Sequence, residues 1–543
     1  MSSAAAPRFA NVSAWLAVRA AAQPDAPAVV VARRGGDVVL TCAELDRLCD
    51  RTAHALQRAG IGAGMRTALM VPPSPDFFAL TFALFKLGAV PVLIDPGLGV
   101  RNLGRCLATA EPQAFVGIGK AQLARALLGW GRSTLRIRIR VGAGLPLGSS
   151  LAQLRAAAPD IAFPVAATDP EQPAAILFTS GSTGPPKGVL YRHRTFTAQV
   201  EALQALYGIE PGEVDLATFP LFALFGPALG MASVVPRMNA SRPAAADPRA
   251  LVESIRAWSC TSMFASPALI ELLGRHCETT GTRLPTLRRV VSAGAPASPA
   301  ALERLCRQLN AGVEVHTPYG ATEALPVSSI GSAEILAETR ARTDAGGGVC
   351  VGHPAPGIEV AILRIDDGPI PEWSDDLCLP QGEVGEIAVR GAVVTDAYYG
   401  LPEATARAKI RDGARLWHRM GDVGYVDEGG RLWMCGRKAH RVETAAGTLH
   451  SVPCEAVFDV HPAVRRSALV GVRGVPVLCV ELLAGRRGSD ELVEELRALG
   501  QRFEHTRGIG VFLFHPGFPV DVRHNAKIDR EKLAAWAAGR VRT

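Results

Sequence analysis

Over residues 41–60, TCAELDRLCDRTAHALQRAG, the apolar positions Leu45, Leu48, Ala53, Leu56 and Ala59 recur at near-helical spacing and the run ends at glycine. That pattern predicts an amphipathic helix. The stretch that follows changes period: RTALMV, a helical pattern over residues 75–88 and AVPVLID alternate strand, helix and strand, as a parallel sheet with crossover helices does. AAILFT, SMFASP and RRVVSAG repeat the theme. Each is short and bounded by Gly, Pro or Ser, which suits strands buried on both faces. From about Gly346, GGGVCVGHPAPGIEVAI and GEVGEIAVRG give short alternating strands and glycine turns, the texture of a more antiparallel subdomain. After Gly436 strands and helices mix, as in EAVFDVHPAV, SALVGV and ELVEELRALGQRF. The expected fold class is therefore α/β, with a large multi-subdomain N-terminal domain over residues 1–436 and a small α+β C-terminal domain over residues 437–543.

Residues 216–236 carry no charge over about the length that spans a bilayer. Pro220, Gly226, Pro227 and Gly230 interrupt them, so they read as broken apolar segments buried in the protein, and no transmembrane segment is expected. The chain of 543 residues is 48% apolar and 20% charged, a globular composition. Its formal charge of +7 is spread over 58 basic and 51 acidic residues with no long block of one sign, which gives nucleic-acid binding no support. Eleven cysteines, without a CxxC pair or zinc-ligand spacing, read as buried thiols in a reducing cytoplasm. The leading residues MSSAAAPRFANVSAWLAVRAAA lack the features of a secretory signal.

The strongest local chemistry is TSGSTGPPKG at residues 179–188, directly after the strand-like AAILF. Gly181 and Gly184 let backbone amides turn inward, the hydroxyls of Thr179, Ser180, Ser182 and Thr183 add donors, and Lys187 adds positive charge. This is an anion cradle, and its spacing differs from the GxxxxGK[ST] loop. A bland Ser/Gly linker is the alternative; the preceding strand and the lysine argue against it.

The loop resembles the signature of the adenylate-forming superfamily, which includes acyl-CoA synthetases, peptide-synthetase adenylation domains and luciferases. Other segments resemble that family in the same order. SAGAP (Ser292, Ala293, Gly294, Ala295, Pro296) is similar to its adenine-side segment, and TPYGATE, with Tyr319, Gly320, Ala321, Thr322 and Glu323, to its nucleotide and metal segment. WHRMGDVGYVDEGGRLWMCGR follows with Asp422 and Arg437, and HNAKIDREKL resembles the closing lysine motif with Lys527. The resemblance covers nearly the whole chain and implies ATP and Mg²⁺ as cofactors. Attack of a carboxylate on the α-phosphorus of ATP brings two anions together, so cations must stand where charge accumulates. The likeness gives Lys527 and Lys187 that work, and gives Glu323, with Thr183, the magnesium. It gives Asp422 the ribose hydroxyls, Arg437 the nucleotide at the domain junction, and the Tyr319 ring a place for adenine to stack.

Several positions depart from the family pattern. FPLFALFGPALG puts Ala223 where many acyl-CoA synthetases carry a histidine or aromatic residue; Ala439 replaces the usual aspartate or lysine hinge. Glu443 and Ala446 replace a lysine and a glycine of the loop that helps admit coenzyme A, and Gly447 is displaced by one position. An enzyme whose substrate carries its own nucleophile fits that pattern. The chain is most similar to the β-lactone synthetases of bacterial long-chain olefin biosynthesis, in ILFTSGSTGPPKGVLYRHRTF, TPYGATEALPVSSIG and FHPGFPVDVRHNAKI. That resemblance implies a long-chain 2-alkyl-3-hydroxy acid substrate, with the pathway's reductase and β-lactone decarboxylase as partners. Two other readings stay open: a long-chain acyl-CoA or acyl-AMP ligase needing a thiol acceptor, and a silent nucleotide-binding scaffold. His193 and His316 read as packed side chains.

Overall fold

The computed structural model describes residues 10–178, 185–520 and 528–541. Two large sheets dominate it. The first has eight strands in the order Ala397–Tyr398, Gly188–Arg192, Pro173–Phe178, Val90–Ile94, Arg66–Met70, Ala114–Ile118, Ile137–Val141 and Ser149–Ser150. From Pro173–Phe178 onward the neighbours run parallel; the first two joins are antiparallel. The expected helix at residues 41–60 is Cys42–Arg58, started by a capping box in which Thr41 Oγ1 accepts from the Glu44 amide and Glu44 returns the bond. Its Leu45, Cys49, Ala53 and Leu56 are fully buried. The next helix, Pro75–Lys86, is apolar almost all round and buried over its last ten residues. Lys86, at its end, is held between Asp46 and Asp50 at 2.6 and 2.5 Å.

The second sheet has fourteen strands, thirteen of them on one path. Val214–Ala217, Ser262–Ala265, Arg289–Ser292 and Val315–Ala321 lie side by side and parallel, so their C-terminal ends share one edge. Val315–Ala321 then turns back through Thr322 and Glu323 into Ala324–Gly331, and the sheet becomes antiparallel through Val349–Pro354, Leu432–Arg437, Arg415–Val426, Gly385–Arg390 and Glu359–Leu363. The antiparallel section expected after Gly346 is thus present, but it continues the main sheet instead of forming a sheet of its own. The pairing Ser328↔Pro354 carries the hydrogen bonding across. The largest core cluster draws on both sheets, with Val29 and Val291 from one and Leu69, Leu93, Ile139 and Leu177 from the other.

Residues 216–236 are broken pieces, as their prolines and glycines imply, and buried over 216–218, 226–229 and 231–234, while Phe219 between them is 41% exposed. Two short helices, Pro220–Ala223 and Gly226–Leu229, sit between the paired strands Val214–Ala217 and Ala232–Val235. A Cβ at Gly226 would overlap Ser233 Oγ, which explains glycine there. Among the described residues no helix is long and apolar enough to cross a membrane. Nine of the eleven cysteines are buried and all are free thiols.

The C-terminal part is α+β. Val464–Val472, Val475–Leu482 and Val511–Phe514 form a three-stranded sheet, and side chains alternate between two cores. Leu469 and Leu478 meet helices Ser451–Asp459 and Asp490–Gly500 on one face; Val470 and Cys479 meet Arg530–Ala538 on the other. Both cores draw only on residues from Val442 onward.

One buried ion pair stiffens the antiparallel half. Arg419 Nε and Nη2 donate to Glu386 Oε2 at 3.0 and 2.6 Å, with both side chains 2% exposed. Lys438 Nζ, just past the last strand of the sheet, joins at 3.1 Å. Removing the carboxylate leaves two cations beside each other in a dry site, so Glu386→Ala should lower the unfolding free energy by about 3–5 kcal/mol in urea melts.

Candidate functional site

The hairpin that closes Val315–Ala321 places the central carboxylate. Its register shifts between Tyr319 and Ala321, and a Cβ on Gly320 would come within 2.7 Å of the Ala324 carbonyl oxygen. Glycine is therefore required for the turn that presents Thr322 and Glu323 at the sheet edge. The turn is pinned by the other sheet, by the helix His193–Tyr207 that follows its strand Gly188–Arg192, and by the loop before Ala397–Tyr398. Tyr191 OH donates to the Thr322 carbonyl at 2.6 Å, and Gln199 Nε2 donates to the Leu325 carbonyl at 3.1 Å. Tyr398, on the outermost strand of the eight-stranded sheet, donates to Glu323 Oε1 at 2.6 Å. The amide and hydroxyl of Thr395 both donate to the Glu323 carbonyl. Glu323 itself is half-buried, and its Oε2 takes no hydrogen bond among the described residues.

A second cluster joins the antiparallel half to the same hairpin. Asp422 on Arg415–Val426 lies opposite Arg437 on Leu432–Arg437. Its Oδ1 is 3.0 Å from Arg437 Nε, and its Oδ2 accepts from Tyr319 OH at 2.7 Å. Asp422 is only 4% exposed. Burial, then the neighbouring Asp422 carboxylate, pushes the Tyr319 phenol well above its ordinary range, so it stays a neutral donor. Arg437 exerts an opposing pull on both Tyr319 and Tyr398, which ties the two clusters into one electrostatic unit.

Lys187 stands just before Gly188–Arg192, whose first residue pairs with Phe178. Residues 178 and 188 on either side of the 179–187 segment are thus paired, and the Lys187 ammonium lies 4.8 Å from the centre of the Tyr398 ring, a cation–π distance. Ser292 ends its parallel strand fully buried and without a partner for its Oγ; Ala293, Gly294, Ala295 and Pro296 follow as a loop beside the hairpin strand, with Gly294 at φ +100°. The structure therefore brings Lys187, Tyr319, Gly320, Ala321, Thr322, Glu323, Asp422, Arg437 and the 292–296 loop to one side of the molecule. Thr179, Ser180, Gly181, Ser182, Thr183, Gly184 and Lys527 lie outside the described residues.

Sequence reasoning missed Tyr398, Tyr191, Lys409 and His418. Lys409 is buried, donates to the Thr395 carbonyl, and has no carboxylate within ion-pair distance among the described residues. Burial lowers its pKa to about 8, against the opposing fields of Glu323 and Asp396. Next to it, His418 is held well below the usual histidine range by burial and then by Lys409 and Lys187, so it is a neutral ring. His193 is 1% exposed with its Nδ1 unpaired, and His316 packs against the Tyr207 ring. Both are packed side chains, as expected.

An apolar wall runs from the hairpin to the partly buried 216–236 segment. Tyr191 touches Phe196, Phe196 reaches Phe225, Phe225 meets Phe222, and Phe222 stacks on Phe264 at 4.1 Å. Ala223, 1% exposed, belongs to the same core cluster. Beyond Arg437, Lys438 Nζ donates to the Asp366 carbonyl at 2.7 Å and Arg441 pairs with Asp367 at 2.6 Å, flanking Ala439. Glu443 is engaged by Arg441 and by Thr448 Oγ1, each at 2.7 Å, on the two-stranded hairpin of Val442–Thr444 and Gly447–Leu449.

Comparison with known proteins gives a consistent picture. The model of the AMP-binding enzyme family matches residues 16–399. The olefin beta-lactone synthetase of Stenotrophomonas maltophilia (strain K279a) is 50% identical, with 98% of this chain and 99% of that protein aligned. The olefin beta-lactone synthetase of Xanthomonas campestris pv. campestris is 52% identical over 92% of this chain and 91% of its own. Among solved structures, an amide bond synthetase from Marinactinospora thermotolerans superposes with a TM-score of 0.78 at 27% identity, covering 97% of this chain and 99% of that one.

Lys409 gives the site a measurable pH signature. Below pH 8 the folded and unfolded chains both hold its proton, and the fold bears the cost of a buried charge. Between about 8 and 10.5 only the unfolded chain keeps the proton, so stability rises with pH. The difference in unfolding free energy between wild type and Lys409→Met should therefore shift by about 3 kcal/mol in favour of wild type across that window, read from urea melts at successive pH values.

Proposed function

The chain belongs to the AMP-binding enzyme family, and from that premise we propose that it uses ATP to convert a long-chain 2-alkyl-3-hydroxy acid into its acyl-adenylate. It then closes the adenylate to a β-lactone, releasing pyrophosphate in the first step and AMP in the second. The observation that carries this reading is half identity, along nearly the whole chain, to a synthetase of that name. The grouping of Lys187, Tyr319, Glu323, Asp422 and Arg437 supports it.

In this reading the 179–184 loop and Lys187 cradle the phosphates, and Lys527 completes the cationic surround when the C-terminal domain, residues 437–543, closes on the N-terminal one, residues 1–436. Glu323, with Thr183, holds Mg²⁺. The carboxylate fits: Tyr398 fixes one oxygen while the other is left without a protein donor among the described residues, and Mg²⁺ takes one or two carboxylates alongside substrate phosphates. The ion's contribution is to neutralise phosphate charge. Asp422 receives the ribose hydroxyls, its carboxylate oriented by Tyr319 and Arg437. Adenine lies between the Tyr319 ring and the 292–296 loop.

The second step needs no separate acceptor. The β-hydroxyl oxygen attacks the acyl carbonyl, its proton is lost, and AMP leaves with the bonding pair; holding both groups on one molecule replaces a thiol site. Two features support this. The wall from Phe196 to Phe264 gives alkyl chains an apolar lining, where each buried methylene contributes about 0.8 kcal/mol. Glu443, tied down by Arg441 and Thr448, puts a carboxylate where related ligases present a lysine to the anionic thiol cofactor. The substrate comes from a reductase and the lactone goes to a decarboxylase. Buried free thiols suit a cytoplasmic enzyme.

Purified protein with Mg²⁺, ATP and a long β-hydroxy acid should yield AMP and β-lactone without coenzyme A. Strict dependence on added thiol, with recovery of a thioester, would replace this function with thioester ligation. Lys527→Ala should cut adenylate formation by about 10²-fold or more while ATP binding, followed by calorimetry, changes little.

A further inference from the structure

We propose that the face formed by helices Val100–Ala110 and Gly119–Leu128, with the outward side of strand Ile137–Val141, binds an anionic membrane surface. The chain's charge looks diffuse only when summed along its length. Residues 96–159 hold nine arginines and lysines against one acid, Glu111, a net of +8 where the whole chain carries +7. Everything else therefore sums to −1; Arg125 is buried and Arg155 pairs with Asp76, which leaves seven of the nine cations for the surface. Arg101, Arg105, Lys120, Arg132 and Arg138 are exposed there, and none has an ion-pair partner among the described residues.

The same face holds exposed hydrocarbon. Five of the thirteen exposed large apolar residues among those described fall between residues 100 and 145: Val100, Leu123, Leu127, Leu128 and Leu145, with Leu127 the most exposed at 76%. Isolated exposed leucines need no explanation, but a cluster does. The layout makes it one surface. Gln122 and Arg125 turn into the protein, which sends Lys120, Leu123 and Leu127 outward along successive turns. Trp130, just past that helix, abuts Gly104 of the other helix, and Ala143 packs on Gly119, bringing Leu145 alongside.

Charge without hydrocarbon would suit nucleic acid, and hydrocarbon without charge would suit a second copy of the chain. Leucines rimmed by unpaired cations match the interface of an anionic leaflet, where apolar side chains enter the headgroup boundary while cations meet phosphate. This goes beyond the reaction proposed above and does not rest on it, because the test reads location and not turnover.

Full-length protein is mixed with vesicles of phosphatidylcholine, with or without phosphatidylglycerol, and floated through a density gradient. It should rise with the anionic vesicles only and be released at molar salt, where the screening length is about 3 Å. Lys120→Glu, Arg132→Glu and Arg138→Glu together should weaken partition by about 100-fold or more, at about fivefold per cation removed. Leu127→Asp with Leu128→Asp should weaken it by about tenfold or more, and both variants should still release AMP at the wild-type rate. Wild type that stays at the bottom, or floats equally with neutral vesicles, overturns the proposal. So does a wild-type dimer that the leucine variant dissociates, or variants that float as wild type does.

Discussion

The candidate site is built around a two-residue turn, Thr322 and Glu323, held by donors from outside its own hairpin. Left to itself, a hairpin tip at a sheet edge samples several conformations, and a half-buried carboxylate on it would face in none of them reliably. Here Tyr191 and Gln199 take the carbonyls of Thr322 and Leu325, Thr395 takes that of Glu323, and Tyr398 takes one carboxylate oxygen. Each bond alone contributes about 1 kcal/mol. Their joint effect is positional, because moving the carboxylate would leave several buried polar groups unpaired at once. The seam between the sheets and the site are thus one structure.

Asp422 works by the same logic with opposite charge bookkeeping. A carboxylate 4% exposed would be expelled or neutralised unless matched, and Arg437 and Tyr319 match it from two different strands. Arg437 is also the last residue of the sheet, so the partner that stabilises Asp422 stands where the chain leaves for its C-terminal part. Any movement there is felt first at Asp422. Lys438 and Arg441, anchored on Asp366, Glu386 and Asp367, fix the flanks of Ala439, and alanine at that point contributes no polar contact of its own.

The elements were largely legible in the sequence because their signals are local. Helix Cys42–Arg58 follows from Thr41, Glu44 and an apolar stripe; strands such as Val90–Ile94 follow from short apolar runs between breakers. The motif residues Lys187, Glu323, Asp422 and Arg437 were legible through resemblance. What escaped notice was whatever depends on contact between distant segments. Tyr398 sits in an unremarkable VVTDAYYG and matters only because its short strand pairs with Gly188–Arg192 opposite the hairpin. Lys409 has the pattern of an ordinary exposed strand lysine, and nothing in AKIRD says that its ammonium is buried. The continuation of the sheet through Ser328 and Pro354 was hidden for the same reason, since a change of local texture does not reveal whether hydrogen bonding crosses the boundary.

Charge shows the same divide between what sums and what folds. A total of +7 from 58 basic and 51 acidic residues reads as near balance, and by that measure no anionic partner is called for. Folding gathers exposed cations such as Arg101, Arg105, Lys120 and Arg138 onto two helices and a strand, and neutralises others in pairs such as Arg289 with Glu213 and Arg530 with Glu455. A buried pair contributes nothing to the field at the surface, whereas an unpaired surface cation contributes fully within about one screening length, near 8 Å at physiological salt. The quantity that selects a partner is therefore the unpaired charge per face, which requires the fold. By that quantity the face of Arg101, Arg105, Lys120, Arg132 and Arg138 is basic.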